Sequence, residues 1–365
     1  MQTVLPLSTK PAALDFFAGG GLASEGLSPH FDVVWANDFA AKKAAVYEAN
    51  HPGHLHVGPI QDVRGQDLPA AELAWASFPC QDLSLAGRMQ GMHSGTRSGL
   101  VWEWLRILGE LPAKPPVVVA ENVAGLLSSD GGANYRTLHA ALNDLGYRVG
   151  ALALDAARWL PQSRPRIFVV GVCQDLETSA LESAGPEWAH SDAARRVSDS
   201  PGWVWWSLPE PPPRTVRLSD LIDADAPVHA DGRTAHVLSL LSERHHGKLM
   251  QLANGDIVPG YRRMREGAQR LELRFDGIAG CLRTPGGGSS RQVVVIRRGD
   301  EFQTRLLTVR EAARLMGAPD TYQIPGSYND GYKAMGDAVA VPVVEHLARH
   351  LLAPLVQIAR ATSPR

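Results

Sequence analysis

Cys80 follows Pro79 at the end of an apolar run, Leu73-Ala-Trp-Ala-Ser-Phe-Pro-Cys80, and a thiol placed there is a candidate nucleophile. Strands of an open α/β sheet deliver functional groups at their carboxyl ends, and the fixed φ of Pro79 limits the turn that would hold the thiol. A small buried hydrophobe is the plain alternative, because free cysteine is among the most buried residue types. Two further stretches end on groups that could work with it. Pro115-Pro-Val-Val-Val-Ala120 runs into Glu121, a carboxylate that is costly to bury unless it serves something. Arg164 and Arg166 lie in Gln162-Ser-Arg-Pro-Arg166, at the mouth of the apolar run 167–172. Turned inward they are fixed cationic donors; turned outward they pair with surface acids.

These groups need a sheet to hold them, and the chain alternates apolar runs with helical periods as an α/β sheet requires. Ala12-Ala-Leu-Asp-Phe-Phe17 reads as a buried strand, Ala18-Gly-Gly-Gly21 as a tight turn, and 22–27 as the helix that follows. The next strand, 31–36, leads into Asn37-Asp38, an acid about 20 residues beyond the glycines and suited to ribose hydroxyls. Ser24 stands where a dinucleotide fingerprint has its third glycine, so a plain structural turn stays open for the glycines, and Asp38 is the stronger half of the signal. Helices are expected at about 40–50, 100–111 and 135–145, and strands near 147–154 and 167–172. Glycines at 87, 91, 95 and 99, with little apolar content between them, read as a lid beside the thiol or as an inert surface loop.

The length of 365 residues suggests two domains, the second inserted into the first. Three widely spaced cysteines, Cys80, Cys173 and Cys281, form no CxxC pair, which argues against a disulfide framework and against a structural metal; no metal is expected. A formal charge of −2 does not announce a nucleic-acid binder, so phosphate affinity must come from a local patch. No apolar run approaches the length of about 20 residues needed to span a bilayer, and no basic-then-apolar leader is present, so a cytoplasmic protein with no membrane partner is expected. Composition shifts after Cys173: residues 174–213 are rich in acids, serine, proline and tryptophan, including Trp203-Val-Trp-Trp206. From Tyr261 to Arg310 there are 11 arginines and no lysine against 5 acids, around Gly286-Gly-Gly-Ser-Ser-Arg291. Such a strip suits phosphate and guanine, since arginine's fork is bidentate, or else is a salt-bridged β surface. The α/β rhythm returns with a helix from Leu307-Thr308 to Met316, and Gly336-Asp-Ala-Val339 leads into a last apolar helix from Pro342 to about Leu355.

In this order the motifs resemble the DNA (cytosine-5) methyltransferase family of bacterial type, over nearly all of the chain outside about 174–255. The resemblance rests on Asp15-Phe-Phe-Ala-Gly-Gly-Gly21 with Gly26-Leu27, Asn37-Asp38-Phe39, Phe78-Pro-Cys80-Gln81, Glu121-Asn122-Val123, Gln162-Ser-Arg164-Pro-Arg166, the 307–317 block and Gly336-Asp-Ala-Val339. It implies an α/β fold: a Rossmann-like class I methyltransferase sheet with an inserted smaller target-recognition domain. Residues 1–173 would be the catalytic and cofactor-binding domain, 174–330 the target-recognition domain, and 331–365 a segment returning to the first. The activity implied is methyl transfer from S-adenosylmethionine, leaving S-adenosylhomocysteine, to C5 of a flipped cytosine in a specific double-stranded DNA sequence. By the same resemblance Cys80 adds to C6, Glu121 bonds N3 and the exocyclic amine, Arg166 holds the O2 side, and Arg164 helps carry the positive field. Asp15, Phe16, Ala18, Gly19, Gly21, Ile60, Pro79, Asp337 and Val339 line the cofactor, with Asp38 on the ribose and Phe39 stacked on adenine. Arg283 and Arg291 are the candidates for DNA contact. A restriction endonuclease acting on the same site without direct contact, and a place at the nucleoid in a bacterial cytoplasm, also follow from the likeness. Two positions depart from it: Pro59 stands where many members have an acid for the adenine amino group, and Asp337 where many have Asn.

A nicotinamide-dependent oxidoreductase would share the glycine turn and Asp38 but leaves Cys80, Glu121 and the arginine strip without a task. A tRNA methyltransferase of the same fold is a closer rival; the long region 174–300 favours a reader of double-stranded DNA.

Overall fold

The computed structural model describes residues 10–79, 99–283 and 291–362. Cys80, the expected lid as far as residue 98, and the glycine stretch 284–290 lie outside them. The chain divides into two compact units, one made of Met1–Leu154, Pro165–Glu210 and Val343–Arg365, the other of Asp155–Arg164 and Pro211–Pro342.

The first unit is built on seven strands: β1 (Ala12–Phe16), β2 (Asp32–Asp38), β3 (Leu55–Val57), β4 (Leu73–Ser77), β5 (Val117–Val123), β6 (Tyr147–Asp155) and β7 (Pro165–Cys173), in the order β3-β2-β1-β4-β5-β7-β6. Strands buried on both faces must be apolar, and the first four residues of β4 (LAWA) and of β5 (VVVA) are. On one face Ala74, Ala76, Val118 and Ala120 join Trp104, Ile107 and Leu108 of helix α3 (Leu100–Glu110) in one core. The pairings β1–β2, β2–β3, β1–β4 and β4–β5 are parallel, whereas β7 runs antiparallel beside β5. Strand order reverses between β1 and β4, and in an open sheet the crevice outside the strand ends at such a switch is where ligands bind. The carboxyl ends flanking that switch carry the glycine turn after Phe16 and the Phe78-Pro79 segment after Ser77.

The tryptophan-rich stretch belongs to this unit. Trp206 is fully buried and donates from Nε1 to the Val170 carbonyl at 3.0 Å, and Val149 bridges Trp203. A side chain at Gly150 would meet the Val204 carbonyl at 2.1 Å, so only glycine permits this approach. The chain therefore leaves the first unit at Glu210 rather than near Cys173, because composition reports polarity and not what the indoles pack on. It returns at Val343, where the sequence places the return at 331. The stretch Tyr328–Thr362 is long and apolar enough to cross a membrane. It is interrupted at 338–340, however, and Val344, Leu347, Leu351, Leu352 and Leu355 are fully buried core. Arg360 Nε ties its end to Glu72 Oε1 at 2.8 Å, just before β4.

The second unit contains an antiparallel sheet, β8 (Ile257–Arg265), β9 (Ala268–Leu273), β10 (Gln292–Arg298) and β11 (Glu301–Leu306), in the order β11-β10-β8-β9. Val258, Leu271, Leu273, Val293 and Val295 form its core. A buried pair braces it: Arg305 donates to both oxygens of Glu311, at 2.8 and 2.6 Å, and Glu311 also accepts the amides of Asp223 and Thr308, each at 2.7 Å. The carboxylate is thus satisfied on every side, which a buried charge requires. Much of the arginine strip is neutralised in the same way. Arg263 and Arg265 share Glu272 at 3.3 and 2.5 Å, and Arg274 meets Asp276 at 2.5 Å.

Candidate active site and cofactor-binding elements

The glycine turn is held in the left-handed region by Phe17 (φ +59°), Gly19 (+58°) and Gly21 (+86°). Phe17 is a non-glycine there, a strain that persists only where the surroundings impose it. They do so through the end of β2, where Ala18 N donates to the Asn37 carbonyl at 2.9 Å and Gly19 N to Asp38 Oδ2 at 2.9 Å. Asp38 Oδ1 accepts the amide of Ala40 at 2.8 Å, and each oxygen keeps a second lone pair for a hydroxyl. The next ring, Phe39, is 65% exposed, an open face on which a flat base can stack. Phe16 lies under the turn, fully buried with its ring 5.0 Å from Trp35.

Asn37 Nδ2 donates to the carbonyls of His56 and Gly58, both at 3.0 Å, and so fixes the backbone that leads to Pro59. Pro59 precedes the short 3-10 turn Ile60–Asp62, with Ile60 buried. No acid replaces the proline at its own position, and a neutral hydrogen bond of the missing kind is worth about 1 kcal/mol. An S-adenosylmethionine analogue lacking the adenine amino group is therefore expected to bind less than about tenfold more weakly in a calorimeter. A larger loss, abolished by Asp62→Ala, would identify Asp62 as a substitute acceptor.

Asp15 is fully buried on β1 and accepts the Ser24 hydroxyl at 2.6 Å. Burial pushes its carboxyl up to about 7; the Ser24 bond opposes this and the neighbouring Asp38 charge adds to it. Among the described residues its Oδ1 has no hydrogen-bond partner. A buried acceptor left in this way suits a cationic group, and S-adenosylmethionine carries two, an ammonium and a sulfonium. The donor set of the turn thus fits that cofactor: an unanswered acid, a second acid with free lone pairs and an exposed ring.

At the far side of the sheet edge, Arg166 is paired in register with Val123, which puts it diagonal to Glu121 on the same face of the antiparallel pair. Arg166 Nε meets Glu121 Oε1 at 3.0 Å, with only 13% and 8% of the two side chains exposed. Between them in sequence, Asn122 turns to the other face and donates to the Phe78 carbonyl at 3.0 Å, while accepting the Val123 amide at 2.8 Å. It thereby ties the acid strand to the segment that runs through half-buried Pro79 into Cys80. Sequence reasoning gave Asn122 no role, although a buried amide at a strand end must find partners.

In the second unit Arg164 is separated from its sequence neighbour. Its guanidinium is 1% exposed and donates to the Leu282 carbonyl at 3.0 Å, to the Gly336 carbonyl at 2.9 Å and to that of Ala338. It therefore clamps the closing motif, holding the backbone around exposed Asp337 and buried Val339. Arg283 is exposed. Arg291 lies 5.6 Å from the Tyr328 ring centroid and donates to Asn329 Oδ1.

The profile of the family described as C-5 cytosine-specific DNA methylase matches residues 12–353. The chain belongs to this family. It is a DNA (cytosine-5) methyltransferase, and S-adenosylmethionine is its methyl donor. Relatives of this methylase include the type II methyltransferase M.HhaI of Haemophilus parahaemolyticus, 28% identical over 346 residues covering 93% of each chain. M.HpaII of Haemophilus parainfluenzae is 28% identical over 376 residues, covering 96% of this chain and 91% of that one. Among solved structures, the Dnmt2 methyltransferase of S. pombe superposes with a TM-score of 0.61 at 18% identity, over 95% of this methylase and 99% of that chain, a likeness of fold alone.

Proposed function

We propose that this methylase transfers the methyl group to C5 of a cytosine flipped out of a specific double-stranded DNA sequence, through a covalent bond between Cys80 and C6. The observation that carries the proposal is the Glu121–Arg166 pair on the strand end that Asn122 ties to the Phe78-Pro79 segment. Cytosine C5 is a poor nucleophile until a thiolate adds at C6 and turns the ring into an enamine. Cys80 supplies the thiolate. Glu121 bonds N3 and the exocyclic amine, drawing charge from the ring as sulfur adds, and Arg166 stabilises the charge on the O2 side. S-adenosylmethionine, held by Asp15, Asp38 and Phe39, supplies a methyl group on an electron-poor sulfur. A base then removes the C5 proton and elimination frees Cys80. A stacked cytosine exposes neither face to such groups, so the base must leave the duplex. Expressing the protein with a plasmid and mapping 5-methylcytosine tests the reading: modification at one recurring sequence is expected, and an unmodified plasmid overturns it.

Sequence choice is assigned to the part of about residues 174–330 that lies in the second unit, from Pro211 on, and a restriction endonuclease sharing the site to the same cell. Arg283 and Arg291 are expected to touch DNA. A phosphate contact lowers affinity for all sequences and reduces the salt slope by about one, whereas a base contact costs about 1–3 kcal/mol at one position and relaxes specificity there. Binding titrations of alanine variants at several salt concentrations separate the two. Unchanged affinity, slope and specificity would make both residues ordinary surface.

A further inference from the structure

Four side chains run in a line from the glycine turn towards the surface of the first unit. Asp15 Oδ2 and Ser24 Oγ are 2.6 Å apart, Ser24 Oγ is 2.9 Å from the Tyr47 hydroxyl, and that hydroxyl is 2.8 Å from His54 Nε2. Asp15, Ser24 and Tyr47 are buried, and His54 is half-buried. A neutral His54 ring that accepts from Tyr47 at Nε2 carries its own hydrogen on Nδ1.

Before any proton leaves the line, each of the three links holds one hydrogen, and this allows two arrangements. In one, a protonated Asp15 donates to Ser24, Ser24 to Tyr47, and Tyr47 to neutral His54. With every hydrogen moved one place along, Asp15 is a carboxylate and His54 an imidazolium. The two ends therefore share a single proton. Burial raises the Asp15 carboxyl to about 7 and lowers the His54 imidazole from its ordinary value, so below about pH 7 the proton rests on Asp15. The other charged groups around the line are Asp38 at the end of β2, Glu25 on α1 (Leu22–Leu27), Lys43 and Glu48 on α2 (Ala41–Asn50), and His51 after it, 3.4 Å from Glu25. Strand β4, on the other side of Asp15, contributes no titratable group.

We propose that Asp15, Ser24, Tyr47 and His54 form a proton wire that couples binding of the cationic cofactor to the release of one proton. A positive group beside the open Oδ1 makes the carboxylate the stable form of Asp15. The displaced proton passes along Ser24 and Tyr47 to His54 Nε2, and the imidazolium gives its Nδ1 proton to water, leaving a neutral ring that donates from Nε2 to Tyr47. Tyr47 and His54 are then positioning residues that act through Asp15 and touch no cofactor atom. The inference rests on the cofactor role of Asp15 given above.

Calorimetric titration of S-adenosylmethionine into the full-length protein, in two buffers of different ionisation enthalpy, measures the coupling. About one proton is expected to be released near pH 6.5 and almost none near pH 8.5, with the Kd flat above about pH 7 and weakening about tenfold per unit below it. Asp15→Asn should remove both effects. Tyr47→Phe keeps the ring but breaks the wire, so stopped-flow association should slow at least about tenfold near pH 6.5 and match wild type near pH 8.5, where Asp15 is already ionised. A merely structural Tyr47 would give the same change at both pH values, and that result overturns the wire. So does binding by the wild type without proton release, which leaves the cofactor role of Asp15 intact. Absence of binding at any pH overturns both.

Discussion

A DNA duplex carrying 5-fluorocytosine at the methylated position is expected to be trapped covalently by the wild-type enzyme and left free by Cys80→Ser. Fluorine at C5 leaves no proton for the base to remove, so the adduct at C6 forms, accepts its methyl group and cannot eliminate. A serine hydroxyl is a far weaker nucleophile at neutral pH than a thiolate, so Cys80→Ser should lose methyl transfer altogether while still binding DNA. The readout is a band of protein with bound DNA that survives denaturing electrophoresis. Methylation by Cys80→Ser at a rate comparable to wild type, or no trapping on a verified site, would remove the covalent mechanism.

Glu121→Gln is expected to lower turnover about a hundredfold with little change in DNA affinity. The side chain keeps its shape but can no longer share a proton with the ring as charge develops, and one such contact is worth about 3 kcal/mol in the transition state. The structure sharpens this expectation. Glu121 faces Arg166 at 3.0 Å, so the charge of the acid also holds the guanidinium in place. Single-turnover rates and equilibrium DNA binding, measured side by side, separate the two roles. Equal losses in both would make Glu121 a structural member of the β5–β7 edge.

The two arginines at 164 and 166 mark how far the sequence could be read. They are two residues apart, and alternation along a strand would put both on one face. Only Arg166 lies within β7; Arg164 precedes it, with its amide taken by Asp155 Oδ1 at 2.6 Å and its guanidinium by carbonyls of the closing motif. The tryptophan-rich stretch behaves likewise, since its polar, proline-rich composition resembles a linker while its indoles seal β6 and β7.

By itself the sequence determined the βα rhythm, the glycine turn, the acid ending β2 and the order of the motifs. These depend on near neighbours along the chain: apolar runs for strands buried on both faces, and glycine where φ turns positive. Tertiary structure alone decided which polar group meets which. The antiparallel insertion of β7 beside β5 brings Arg166 to Glu121, and the packing of α2 and of the turn after it brings Tyr47 and His54 into line with Asp15. A buried polar side chain takes whatever partner the folded core leaves within about 3 Å, and residues distant in sequence meet there only after register and packing are set.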